Sequence, residues 1–296
     1  MALSLAELDA RPAFALLECT ADDRYFDYCL EPYRPRRTWR GKLRPENVLW
    51  QSLTAGKCLD ALRPPLLAVQ AALGRDMTVW GAKWDGARLF WEVYVYDPEK
   101  EDPQATLTGL AAAVAPWLTI APQVRESVPY SMVSFDLDAD VVARRRVDEV
   151  NLYLTGEAGH AGRSYKVSTN DSELDNTYRF LDAKREVDQV LTLIKSSLFA
   201  DYSDPARLSK VLIPELFACR KICVAKKRRR DAIYFSGIAV SQLLFFLRRF
   251  GYPVRIVDFV ARNEARLDHL SFDVGIDYVQ RDGAVVYPKT SFYGTL

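Results

Sequence analysis

CRKICVAKKRRRDAIYFSGIAVSQLLFFLRRFGY, residues Cys219 to Tyr252, decides how the chain is read, because two alternating segments in it run straight into an amphipathic one. In Arg220 to Lys227 the apolar Ile222 and Val224 alternate with Lys221, Cys223 and Ala225. After the charged turn at Arg228 to Asp231, Ile233 and Phe235 alternate with Tyr234 and Ser236. Period-two patterning makes each segment a strand with two chemically different faces. From Ser241 onward Leu243, Leu244, Phe246 and Leu247 recur at helical spacing, and Gly251 and Pro253 mark where that helix must stop. The stretch predicts strand, strand, helix.

The same unit recurs along the chain. Thr78 to Asp85 and Arg88 to Asp97 flank the turn Asp85-Gly86, Ser131 to Asp138 precedes Asp148 to Thr155, and Leu270 to Val279 precedes Ala284 to Tyr293. Ser164 to Thr169 adds one short strand, for nine in all. Helical spacing fills the intervals at Ala105 to Leu118, Tyr178 to Leu198, Arg207 to Phe217 and Val257 to Leu267, and residues 46–73 read as one or two helices broken at Pro64-Pro65. Locally paired antiparallel strands with helices between them predict an α+β fold, not a parallel doubly wound sheet. We expect one domain over residues 1–296. In it the N-terminal helices of 1–75 pack on the hairpin-helix repeats of 78–296, because the stripe Leu49, Leu53, Leu59 and Leu62 needs the sheet to cover it.

Composition excludes several function classes. Lys plus Arg is 40 against 39 Asp plus Glu, so no global field attracts nucleic acid or a membrane surface, and any binding charge must be local. The run AKKRRR at Ala225 to Arg230 sits where a hairpin tip is predicted, which is a solvated position. No apolar run approaches the roughly 20 residues of a spanning helix, and MALSLAELDARPAF lacks the pattern of a signal peptide, so the expected location is cytoplasmic with no membrane partner. Five cysteines without a CxxC spacing argue against a disulfide framework and against a zinc site. Asp22, Asp23 and Asp27 imitate the metal-binding aspartates of helical terpene synthases, but the repeated strands contradict that fold and a solvated helix end explains them.

With the aliphatic face of each strand turned to the helices, the opposite faces collect Lys83, Phe90, Glu92, Tyr94, Tyr96, Asn151, Tyr153, Lys166, Lys221, Lys227, Tyr234, Ser236, Asp273, Tyr287, Lys289 and Tyr293. Two readings fit. An open sheet would show such residues to water, whereas a sheet closed on itself would enclose them in a cavity. Aromatic rings beside cations suit an anionic ligand with a large apolar part.

The order of hairpins and helices, carried by WGAKWDGARLFWEVYVYD, VDEVNLYLTG, RKICVAKKRRRDAIYFSGI and VVYPKTSFYGTL, resembles the aromatic prenyltransferases of the ABBA (αββα) barrel fold. Within them the chain looks most like the cyanobactin-type bacterial enzymes that modify peptides. The resemblance implies transfer of a dimethylallyl or related isoprenyl group from an allylic diphosphate to an electron-rich acceptor: a peptide side chain, an amino acid or an aromatic small molecule. In that reading Lys83, Lys166, Lys221 and Lys289 grip the diphosphate. Tyr94, Tyr153, Tyr234 and Tyr293 shield the allylic cation, and Glu92 takes the acceptor's proton. No cofactor and no protein metal site are implied, and magnesium is left open as a companion of the diphosphate. The alternative is a non-catalytic barrel or sheet that binds a small anionic ligand. In it the lysines and tyrosines persist and the inward carboxylate has no task.

Overall fold

Ten strands close into one antiparallel barrel in the computed structural model, which describes residues 13–23, 35, 37–96, 105–156 and 160–296. In chain order they are β1 (Thr78–Trp84), β2 (Leu89–Tyr96), β3 (Met132–Leu137), β4 (Glu149–Thr155) and β5 (Ala161–Ser168). They continue with β6 (Ser172–Asp182), β7 (Lys221–Lys227), β8 (Asp231–Ile238), β9 (Phe272–Arg281) and β10 (Ala284–Thr295). Each strand pairs with its neighbours in sequence, and β10 returns to β1 with Lys83 opposite Ser291 and Gly81 opposite Tyr293. Such a meander alternates direction at every step. The connections at 85–88, 138–148, 169–171, 228–230 and 282–283 therefore all lie at one end of the barrel, the second of them carrying the short helix Ala139–Arg144, and the connections through the helices Leu107–Val114, Val187–Lys195 and Val240–Arg249 lie at the other.

The strand missing from the sequence reading is β6, and the helix expected from Tyr178 begins only at Val187. The segment SELDNTYRFLD offers few aliphatic residues, and a β-bulge resets its phase: Ser164 faces Asn176 while Tyr165 faces Leu174, which leaves Asp175 as the extra residue. Strand neighbours on both sides, β5 and β7, make it a strand. A second expectation fails at Pro64-Pro65. They lie inside an unbroken helix, Leu59–Leu73, and the break falls instead at Gly56-Lys57, where Lys57 adopts a left-handed φ of 59°. The carbonyls deprived of partners by these prolines belong to Asp60 and Ala61, both exposed, so water can satisfy them.

The main core lies between the outer face of the barrel and the helices. Ile222, Val224, Ile233 and Phe235 meet Leu243, Phe246 and Leu247 of the helix Val240–Arg249, all fully buried. On the far side Leu49 and Leu53 of the helix Glu46–Ala55 are buried, as are Leu59 and Leu62, and Trp91 of β2 donates its indole N–H to Ser52 at 2.8 Å. Asp23 is held by Arg44 and Arg75, Asp22 is exposed, and Asp27 lies outside the described residues. Cys19, Cys58, Cys219 and Cys223 are free and buried, and Cys29 lies outside the described residues. Among the described residues no helix is long and apolar enough to cross a membrane.

Candidate active site

The barrel encloses a cavity of about 580 Å³, within the range of small-molecule sites, which reaches solvent beside Arg228, Arg229 and Arg230 at the β7–β8 turn. Its middle is a belt of aromatic rings supplied by alternate positions of five strands. Ring centroids run from Phe180 to Tyr178 (6.2 Å), Tyr178 to Tyr153 (6.2 Å) and Tyr153 to Tyr94 (6.1 Å). They continue from Tyr94 to Tyr293 (6.1 Å) and from Tyr293 to Tyr234 (6.3 Å). The five strands between them carry small residues at this level: Gly81 opposite Tyr293, Ser134 opposite Tyr94, Ser164 opposite Tyr153, Cys223 opposite Phe180 and Tyr234, and Gly275 opposite Tyr234. Two glycines make room for the belt. A Cβ on Gly81 would sit 2.7 Å from the Tyr293 ring, and one on Gly275 would sit 2.6 Å from the Tyr234 ring.

One wall holds a carboxylate. Glu92 on β2, 4% exposed, pairs with Lys83 and accepts hydrogen bonds from Tyr94 and Ser134. The Tyr153 hydroxyl lies 3.3 Å and the Asn151 amide 3.4 Å away, both on Oε1. Burial raises the Glu92 carboxyl, but the Lys83 ammonium and these donors outweigh it and hold it well below the usual carboxylate range. Lys83 also pairs with Asp136, so its single charge is shared by two carboxylates.

Across the barrel the balance is reversed. Asp277 of β9, 2% exposed, receives Lys227 at 2.8 Å, Arg230 at 2.8 Å and Lys289 at 3.5 Å, three cations on one carboxylate. Burial raises the Asp277 carboxyl, and the three cations drive it far below its ordinary value. Lys289 is lowered by burial, supported by Asp277, and lowered again by Lys227 and Lys83, which brings it to about 8. Lys227 also lies 5.8 Å from the Tyr234 ring centroid. At the floor Asp273 accepts the Gly237 N–H at 3.0 Å, and burial pushes it up to about 7 against that bond and the Arg220 charge.

The four expected tyrosines and Glu92 all line this cavity, as do Lys83, Lys166 and Lys289. Lys221 does not. It shares the inner face of β7 but lies at the opposite end from Lys227, outside the cavity lining. Lys166 stands at the rim with Glu149 at 3.3 Å. Tyr287 is corrected as well: Tyr287 and Pro288 lie between Val286 and Lys289 on β10 against Tyr278 alone on β9, and this bulge turns Tyr287 outward, where its hydroxyl donates to the Lys210 carbonyl at 2.8 Å. Sequence reasoning put Lys227 on the inner face without a role and gave none to Arg230 or Asp277. It lost Asn176, Tyr178 and Phe180 with β6. The turn run KRRRD was the available signal for the cation cluster.

No family model matches the sequence, and no curated protein matches it. Among solved structures the chain is similar to NotF prenyltransferase, with a TM-score of 0.53 and 11% identity over 84% of this chain and 92% of that one. It also matches a 6-dimethylallyl tryptophan synthase, with a TM-score of 0.46 and 12% identity over 86% of this chain and 96% of that one. The closed ten-strand meander with helices outside and the first of these likenesses together make the fold that of the ABBA prenyltransferases.

Proposed function

We propose that the protein transfers an isoprenyl group from an allylic diphosphate to an electron-rich acceptor inside the barrel. The observation that carries this reading is the division of charge across one aromatic belt: surplus cations gather around Asp277, while a fixed carboxylate, Glu92, lies on the other wall. A diphosphate needs local cations in a chain with a net charge of +1, and Lys227, Arg230 and Lys289 supply two charges beyond what Asp277 neutralises. They replace Lys221 in the expected set, and Lys83 serves Glu92 rather than phosphate.

The allylic carbon–oxygen bond breaks and its electron pair leaves with the diphosphate, whose growing charge the cations stabilise. The belt of rings faces the allylic cation with π-electron density and keeps water away until the acceptor attacks. The new carbon bond leaves an acidic proton on the acceptor, which passes to Glu92. A carboxylate held low is a weak base, but the proton of a cationic adduct is strongly acidic and needs no stronger one. The acceptor is an amino acid, a peptide side chain or an aromatic small molecule.

The test is thermal shift with dimethylallyl S-thiolodiphosphate together with diphosphate release from dimethylallyl diphosphate. Stabilisation by several degrees and slow release in the absence of acceptor, water then taking the cation, are expected. Stabilisation without any release, with amino-acid and aromatic acceptors supplied, would favour the non-catalytic binder. Neither effect would end both readings.

A further inference from the structure

The bulge in β6 presents two acceptor groups to the cavity that the proposed chemistry does not use. An extra residue in a strand lets consecutive side chains leave on the same face, and Asp175 and Asn176 both line the cavity. Asn176 is 8% exposed, and its amide nitrogen donates to the Asp175 carboxylate at 2.8 Å, to Ser164 Oγ at 2.9 Å and to the Tyr178 hydroxyl at 2.9 Å. Only the NH₂ end of an amide can face a carboxylate at that distance, so the orientation is fixed and the oxygen is left over. That Oδ1 atom is buried without a hydrogen-bond partner. Buried acceptors are costly unless a donor reaches them.

Asp175 accepts the Asn176 N–H but meets no cation among the described residues. The other acids at the mouth are engaged: Asp136 by Lys83, Glu149 by Lys166 and Glu173 by Arg228. Lys227 stands directly opposite Asn176 in the ladder, yet its ammonium turns away to Asp277 and the Tyr234 ring. Among the described residues no ammonium or guanidinium pairs with Asp175. A carboxylate and an orphaned carbonyl oxygen side by side, next to tyrosine rings, form a receptor for a positively charged N–H donor.

Resting on the reading of the cavity as a transferase site, we infer that the Asp175–Asn176 bulge selects acceptors that carry a protonated nitrogen, an ammonium or guanidinium, beside their electron-rich group. Because Lys227 is the cross-strand neighbour, the bound diphosphate screens the nitrogen from that lysine. The amine therefore binds better after the diphosphate than before it.

Calorimetric titration of the whole chain with tryptamine against tryptophol, and tyramine against tyrosol, tests this with and without dimethylallyl S-thiolodiphosphate. Each pair differs only in a charged nitrogen against a neutral hydroxyl. At least one amine should bind about tenfold more tightly than its alcohol, the span of one charge-assisted bond, and more tightly still with the thiolodiphosphate present. In Asp175→Asn the preference should fall to near unity with thiolodiphosphate affinity kept or strengthened, and Asp175→Ser repeats the measurement should the first variant misfold. No preference for either amine, or one that survives both substitutions, overturns the inference. An amine preference without thiolodiphosphate binding would sink the transferase reading and keep the amine site, and the reverse result would sink the amine site alone.

Discussion

Deleting a negative charge beside a diphosphate site ordinarily strengthens binding, and Asp277→Asn is expected to do the opposite. Coulomb reasoning at an effective dielectric of about 20 gives on the order of 1 to 2 kcal/mol in favour of the variant for a phosphate charge roughly 8 to 15 Å away. Against this, Asp277 is the point on which Lys227, Arg230 and Lys289 converge from two strands and a turn, so its loss releases three cations from one fixed array. Each charge-assisted contact that is no longer preorganised forfeits up to roughly 1.5 to 3 kcal/mol. Lys289 also loses its main support. Burial and neighbouring lysines already hold it at about 8, and without Asp277 it drops further and is largely neutral at pH 7.5. We expect the variant to bind dimethylallyl S-thiolodiphosphate at least tenfold more weakly at pH 7.5. Parent affinity should fall as pH rises through about 8, and that inflection should move to lower pH in Asp277→Asn and vanish in Lys289→Met. Calorimetry from pH 6.5 to 9 reads both quantities. Tighter binding by Asp277→Asn, or an inflection that does not move, would refute the positioning argument and leave Asp277 as a mere counter-charge.

Glu92→Gln should lower turnover by about 10² to 10⁴ while thiolodiphosphate binding stays within a few fold, because Glu92 lies across the belt from the cation cluster; equal losses in both would show that it only maintains the site. Asp273 keeps its proton in the fold up to about 7, whereas its ordinary value is 3.8, so its own contribution to stability declines as pH rises between those values, against the rise contributed by His269, which burial lowers to about 4; Asp273→Asn should therefore gain stability relative to the parent as pH rises, and melting curves of the two that stay parallel from pH 4 to 8 would contradict it. Chelation with EDTA should leave thiolodiphosphate binding within about threefold, since the carboxylates nearest the cluster are saturated by cations; a loss of ten times or more would mean that magnesium is part of the bound ligand. We also propose that the N-terminal helices and the barrel form one domain, so limited proteolysis should release no folded fragment beginning near residue 75.

Much of the fold was legible because an amphipathic strand shows its environment twice, once on each face. Val93 and Trp91 against Glu92 and Tyr94, or Ile222 and Val224 against Cys223, each carry both the helix-facing surface and the cavity wall in one alternation. β6 was not legible, since its outward face offers only Leu174 and Leu181 as aliphatic residues and its phase changes midway. The cation cluster was half legible. Lys227 and Lys289 follow from alternation, but their convergence on Asp277 depends on how β7, β9 and β10 sit in a closed barrel, and a nine-strand count left closure unsettled. Lys221 shows the converse limit: alternation assigns a face and says nothing of depth along the strand.

The failures of the period-two rule are themselves placed. Three register shifts interrupt the barrel ladder, and each borders a cavity group: the bulge at Asp175 aims two acceptors inward, the one before Ile238 turns the Gly237 N–H onto Asp273, and the one at Tyr287-Pro288 precedes Lys289. Gly237 takes a left-handed φ of 73° at its bulge, and a Cβ there would meet the Arg220 guanidinium at 2.3 Å. Regular strands are enough to build the wall, but they can offer only every second residue at a fixed height. A site that must set acceptors, cations and a floor carboxyl at chosen heights needs extra residues, and an extra residue costs ladder hydrogen bonds that nothing in the fold itself repays. Deleting Asp175 to restore a regular β6 should therefore leave a barrel at least as stable to heat as the parent, with Leu174 still opposite Tyr165, Asn176 still opposite Ser164 and the belt in place, while the carboxylate of the bulge is lost from the cavity. A large drop in melting temperature would mean that the bulge serves closure of the barrel rather than the cavity.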